Sequence, residues 1–149
     1  MNETVRLYPQ IPVNVRIAVR TTWLPRVGGT DGKRAILVRK GQGVGFSTYH
    51  MHWRKETYGE DANDFRPERW MTNELSEVGP GFMPFHSGPR ICLGKDIAFT
   101  EASYAVARFI QAYPGLRLPV DMEVSPAGQE AQSLTNVVSS ADGCKVRLH

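Results

Sequence analysis

The chain has 149 residues, 41% hydrophobic and 22% charged, a length and balance that suit one globular domain with a sizeable core. Lys and Arg total 18 against 15 Asp and Glu, a formal charge of +3. The basic residues are scattered, which argues against nucleic acid as a partner. Two cysteines, Cys92 and Cys144, are too few for a disulfide scaffold and point to a reducing compartment. No apolar run approaches transmembrane length and the first residues are too polar for a signal peptide, so a soluble chain with no membrane segment is expected.

Asn2 to Tyr8 reads as a very short helix ended by Pro9 and Pro12, with Glu3 and Arg6 on one face at i and i+3. Val13, Val15, Ile17 and Val19 alternate with Asn14, Arg16, Ala18 and Arg20, the pattern of a half-buried strand. A glycine-rich piece from Gly28 to Lys33 connects Trp23–Val27 to a return strand over Arg34–Arg39. Gly41, Gly43 and Gly45 lack the order of a phosphate loop and mark the start of another strand. That strand, from Val44, runs into a short helix or loop by His52. Gly59–Asp64 is a polar turn, Phe65–Trp70 closes it, and Met71–Pro89 is irregular. An irregular stretch of that length usually serves a function.

Asp96 to Tyr113 is the clearest helix. Ala98, Ala102, Ala105 and Phe109 form one stripe, widened by Phe99, Val106, Ile110 and Tyr113. Asp96 suits the positive end of its dipole, and Pro114-Gly115 stops it. Leu116–Val120 is strand-like and Ser125–Gln132 a polar loop. Leu134–Val138 and Lys145–Leu148 are predicted to form a last hairpin around Ala141-Asp142-Gly143. The mixture places the chain in the α+β class.

The chemistry concentrates in Phe85-His86-Ser87-Gly88-Pro89-Arg90-Ile91-Cys92-Leu93-Gly94, which reads Phe-x-x-Gly-x-Arg-x-Cys-x-Gly. Gly88 permits a tight reversal just before the cysteine. Gly94 leaves backbone bare beside it, and the following helix turns N–H groups toward the sulfur. Such a loop fits a thiolate that ligates haem iron, with Arg90 free to pair with a propionate and Phe85 keeping water off the sulfur. A lone cysteine is otherwise most often an inert buried thiol, which is the reading for Cys144. His50, His52, His86 and Cys92 match no zinc spacing, and the two nearer histidines read as structural or surface residues.

These residues resemble the haem-binding signature of the cytochrome P-450 family, the haem-thiolate monooxygenases. Glu3-Thr4-Val5-Arg6 is similar to the family's Glu-x-x-Arg helix, and Phe65-Arg66-Pro67-Glu68-Arg69-Trp70 to its Pro-x-Arg-aromatic motif. The resemblance implies a buried charge network of Glu3, Arg6 and Arg69. It implies Cys92 as axial ligand to haem b (iron protoporphyrin IX), and Arg90, Phe85, Gly88, Gly94 and Arg16 as further haem-contacting positions. Ile11 and Val13 lie where the family contacts substrate. Residues 1–149 correspond to one partial domain, the C-terminal, proximal-haem part of the fold. They lack the oxygen-activating helix and the Trp-x-x-x-Arg helix, and begin within the Glu-x-x-Arg helix.

The implied activity is insertion of one atom of dioxygen into a small hydrophobic substrate, with electrons from a reductase. The alternative is a truncated haem-binding fragment without catalysis. The Gly28–Lys33 hairpin, His52 and Tyr58-Gly59 resemble the fungal alkane- and fatty-acid-hydroxylating branch. Full-length eukaryotic members are bound to the endoplasmic-reticulum membrane.

Overall fold

Pro9 and Pro12 end the first helix and Thr48 opens the second. Between these points residues 13–47 form a compact unit of their own, and residues 1–12 with those from Thr48 onward form another. The computed structural model describes residues 1–135 and 137–148.

In the smaller unit, strand β1 (Val13–Ile17) pairs antiparallel with β4 (Gly43–Ser47), with Val15 opposite Gly45. Strands β2 (Thr22–Gly28) and β3 (Arg34–Val38) form the hairpin that the glycine-rich turn requires, with an irregularity between Leu24 and Gly28. The alternation in β1 is present, but the half-buried face is the polar one. Asn14 and Arg16 are partly covered, while Val13, Val15 and Ile17 are 58%, 52% and 61% exposed. The expectation of an apolar inward face is corrected here: a two-stranded ribbon buries little on either side, and Arg16 covers its own strand. Its guanidinium donates to Asn14 Oδ1 at 2.6 Å and lies over the Phe46 ring at 5.6 Å.

The larger unit is built around helix α1 (Asn2–Leu7), whose buried residues Glu3, Arg6 and Leu7 recur at helical spacing. Six residues cannot sustain a helix alone. The last carbonyls of a helix lack partners within it, and here neighbouring side chains supply them. The His52 ring Nδ1 meets the Arg6 carbonyl at 3.0 Å, and the Trp53 indole N–H donates to the Leu7 carbonyl at 3.0 Å. His52 ends helix α2 (Thr48–His52), anchored at its start by the Thr48 hydroxyl, which donates to the Ile11 carbonyl at 2.7 Å. His50 and His52 share this helix, with His52 buried and His50 exposed. Helix α3 (Lys55–Tyr58) and a 3-10 turn over Pro67–Trp70 complete the surround of α1.

Helix α4 (Lys95–Ala112) spans the predicted segment, but none of its residues is buried, so its apolar stripe is not a core face in this chain. The predicted last hairpin is also corrected. Strands β5 (Gln132–Leu134) and β6 (Val138–Ser140) pair with each other, and Arg147 pairs instead with Arg117, within the strand-like Leu116–Val120 segment. The proposed Leu134–Val138 strand crosses residue 136, which lies outside the described residues. Gly128 sits at φ +83° with Trp53 Cη2 only 2.6 Å from where a Cβ would stand, so indole and backbone meet there without room for a side chain.

Candidate functional site: a buried charge network and the cysteine loop

Helical spacing puts Glu3 and Arg6 on one face, and the rigid Arg66-Pro67 entry into a 3-10 turn aims Arg69 at the same point. All three are at most 1% exposed. The Glu3 carboxylate accepts from Arg6 Nη2 (2.8 Å) and Nε (2.9 Å), Arg69 Nε (3.1 Å), the Trp70 indole (2.8 Å) and the Arg66 backbone N–H (3.1 Å). Arg6 spends its remaining N–H groups on the carbonyls of His52 (2.7 Å), Ala62 (2.8 Å) and Asp64 (3.1 Å). Every N–H of that guanidinium is thereby used. Arg69 reaches the carbonyls of Tyr58 and Asp61, each at 3.0 Å.

A buried ion pair is tolerated only when its hydrogen-bonding capacity is filled, and this one is filled mostly by backbone. Burial pushes the Glu3 carboxyl upward. Hydrogen bonds from Arg6, Trp70 and the Arg66 N–H, with the Arg6 charge, outweigh it and hold the group at about 2. Burial drives His52 down to about 4, so the ring is neutral. With Nδ1–H donating to the Arg6 carbonyl, Nε2 is left to accept from the Met83 N–H at 3.0 Å. His52 and the Trp70 N–H are the members that sequence reasoning missed.

The cysteine loop follows directly. The Tyr58 hydroxyl donates to the Gly81 carbonyl at 2.9 Å, and the Phe82 ring packs on Trp70 (4.5 Å) and His52 (5.5 Å). The His86 N–H then donates to the Met83 carbonyl and the Cys92 N–H to the Phe85 carbonyl, both at 3.0 Å. Gly88 takes φ +69°, the left-handed region, at the start of a 3-10 turn over Gly88–Arg90. Cys92 is exposed between Ile91 (44%) and Leu93 (98%). Phe85 packs its ring on Phe99 at 5.3 Å, Arg90 is exposed, and Gly94 caps α4. Phe85, Gly88, Arg90, Cys92 and Gly94 are thus brought into one loop. Arg16 belongs to the other unit, and Glu3, Arg6 and Arg69 lie behind the loop's first residues.

Residues 1–138 match the family model described as Cytochrome P450. The chain belongs to the cytochrome P450 family. It is 48% identical over 149 residues to a cytochrome P450 of Arthroderma benhamiae, covering 99% of this chain and 30% of that protein. It is 51% identical over 127 residues to cytochrome P450 52A10 of Candida maltosa, covering 85% of this chain and 24% of that protein. With cytochrome P450 52A13 of Debaryomyces hansenii it shares 50% identity over 148 residues, 99% of this chain and 27% of the relative. The chain thus spans less than a third of the length of these curated relatives. A retinoic-acid-bound cyanobacterial CYP120A1 superposes with a TM-score of 0.76 at 23% identity, over 99% of this chain and 31% of that one, which establishes the P450 fold.

P450 proteins are haem-thiolate proteins that bind haem b, and the residues present fit that group. Among the described residues no three His, Cys, Asp or Glu converge as a metal site. A bare ion would need several such donors, whereas a porphyrin iron takes four ligands from the macrocycle and needs one from this face. A single exposed thiol on a turn, as Cys92 offers, is the kind of donor such a group takes. Nothing lies within 4 Å of a Cβ built on Gly88, and one on Gly94 would meet only Cys92 Sγ at an ordinary 3.9 Å. The chain itself therefore crowds neither glycine position. Among the described residues no helix is long and apolar enough to cross a membrane.

Proposed function

We propose that this chain provides the thiolate side of a haem monooxygenase acting on a small hydrophobic substrate, an alkane or fatty acid. The observation that carries the reading is Cys92, presented alone and exposed in the Phe-x-x-Gly-x-Arg-x-Cys-x-Gly loop. Kinship with fungal 52A proteins supports the substrate class. Cys92 would ligate the iron, and Arg90 and Arg16 would pair with the propionates through charge-assisted hydrogen bonds. Gly88 and Gly94 keep side chains out of the macrocycle's way, and Phe85 stiffens the loop by stacking on α4. Bound haem supplies the activation of dioxygen, one atom entering the substrate and the other leaving as water. Electrons come from a reductase docked on the cysteine side, and Ile11 and Val13 face the substrate.

A second reading is haem binding without turnover. It is favoured by the open apolar face of β1, where Val13, Val15 and Ile17 are exposed. The test is the carbon-monoxide difference spectrum of the reduced, haem-loaded chain, followed by a fatty-acid hydroxylation assay with a reductase. A thiolate-type band is expected, lost in Cys92→Ser and kept in Cys144→Ser. A band unchanged by Cys92→Ser overturns both readings. A normal band without hydroxylation selects the second.

A further inference from the structure

We infer that His52 is a positioning residue for the cysteine loop: its imidazole ties the end of helix α1 to the backbone at Met83 and so places the Cys92 sulfur. This rests on the reading of Cys92 as haem ligand. The ring is fully buried and spans two backbone groups far apart in sequence. On one side Nδ1–H donates to the Arg6 carbonyl at 3.0 Å; on the other Nε2 accepts the Met83 N–H at 3.0 Å. The residue cannot shift to relax either bond, because Arg6 Nη1 also grips the His52 carbonyl at 2.7 Å and Phe82 packs on the ring at 5.5 Å.

From Met83 the constraint runs along the loop through backbone alone. The Met83 carbonyl takes the His86 N–H, and the Phe85 carbonyl takes the Cys92 N–H. The loop that bears Cys92 therefore hangs, through His52, on the same Arg6 whose guanidinium holds Glu3. Only a neutral imidazole can donate on one edge and accept on the other, and burial of the ring keeps it in that form. A histidine needed only to fill space would gain nothing from an acceptor aimed at the first residue of the loop.

The experiment separates the two edges of the ring. Asn at 52 reaches as far as Nδ1 and keeps a donor for the Arg6 carbonyl but abandons Met83. Gln at 52 reaches as far as Nε2 and keeps an acceptor for the Met83 N–H. Both are made in the Cys144→Ser background, and two properties are read. One is the rate at which a maleimide labels Cys92 in the haem-free chain; the other is the share of thiolate-type band after haem loading and reduction under carbon monoxide. His52→Asn is expected to raise labelling roughly three- to tenfold, the population change that follows loss of one hydrogen bond. It should lower the thiolate-type share, while His52→Gln, which keeps the Met83 bond and is still held at its own carbonyl by Arg6 Nη1, should change both less. Equal behaviour of the two variants overturns the proposal.

Should either variant fail to fold, amide exchange of the unaltered chain decides. The Met83 and Cys92 amides should open together, and Cys92 protection far above that of Met83 overturns the proposal. A parent chain that shows no thiolate-type band but the expected labelling contrast would sink the haem reading and leave the positioning role standing.

Discussion

Glu3 and His52 sit within one hydrogen-bonded cluster and titrate in opposite chemical senses, yet both make the fold sensitive to acid. His52 ionises near 4 in the fold against an ordinary 6.5. Between those values the unfolded chain takes up a proton that the fold refuses, so stability falls as pH drops from about 6.5 toward 4. Glu3 ionises near 2 against an ordinary 4.5. Its contribution is complete above 4.5 and is lost as pH falls from there toward 2. Urea midpoints measured from neutral pH downward should therefore decline in two overlapping steps. Glu3→Gln should be less stable at neutral pH and lack the lower step, and His52→Gln should lack the upper one. A flat profile between pH 6.5 and 4.5 would show that His52 is not held neutral.

Helix length and helix stability part company in this protein. Helix α4 has 18 residues and buries none of them, whereas α1 has 6 and buries three, with its last carbonyls held by His52 and Trp53. Protection against exchange follows burial and tertiary bonds rather than length. In the haem-free chain the α1 amides that close its hydrogen-bonded turn should exchange more slowly than those at the centre of α4, and the reverse order would contradict the burial pattern.

The same contrast marks what could be read in advance. Periodicity tells which side chains share a face, and it located α4 and β1 well. It says nothing of what covers the face, so the inward side of β1 came out reversed. The i,i+3 pair Glu3/Arg6 was visible locally, and Arg69 only through its motif. His52 carries no local signal because its partners are main-chain groups at positions 6 and 83, and any residue type supplies those. The last hairpin is illegible for another reason: Ser133, Ser139 and Ser140 show no apolar alternation, so their pairing carries no pattern, whereas Asp142-Gly143 just after it carries a turn signal.

Across the whole molecule, charged and polar residues dominate the innermost positions. Arg6, Arg69, His52, Glu3 and Thr48 are among the largest fully buried side chains, while Val15, Ile17, Tyr104, Ile110 and Leu93 face solvent. Exposed apolar area on this scale favours association. Under native conditions the haem-free chain should bind a hydrophobic dye and scatter more light as its concentration rises. Val15→Thr with Ile17→Thr should lower both signals; unchanged dye binding would place the sticky surface elsewhere.

The close approach of Trp53 to Gly128 has an optical consequence. The indole that donates to Leu7 is also the wall against which residue 128 lies. Trp23, by contrast, is largely exposed. Excited near the red edge of indole absorption, the protein's emission should combine a solvent-relaxed population from Trp23 with shielded ones from Trp53 and Trp70, of which only Trp53 lies against residue 128. Departure of the 128 segment alone would then shift colour and quenching while the backbone ellipticity stayed constant. The protein carries, in an ordinary side chain, its own fluorescent gauge of whether that late segment is seated on Trp53.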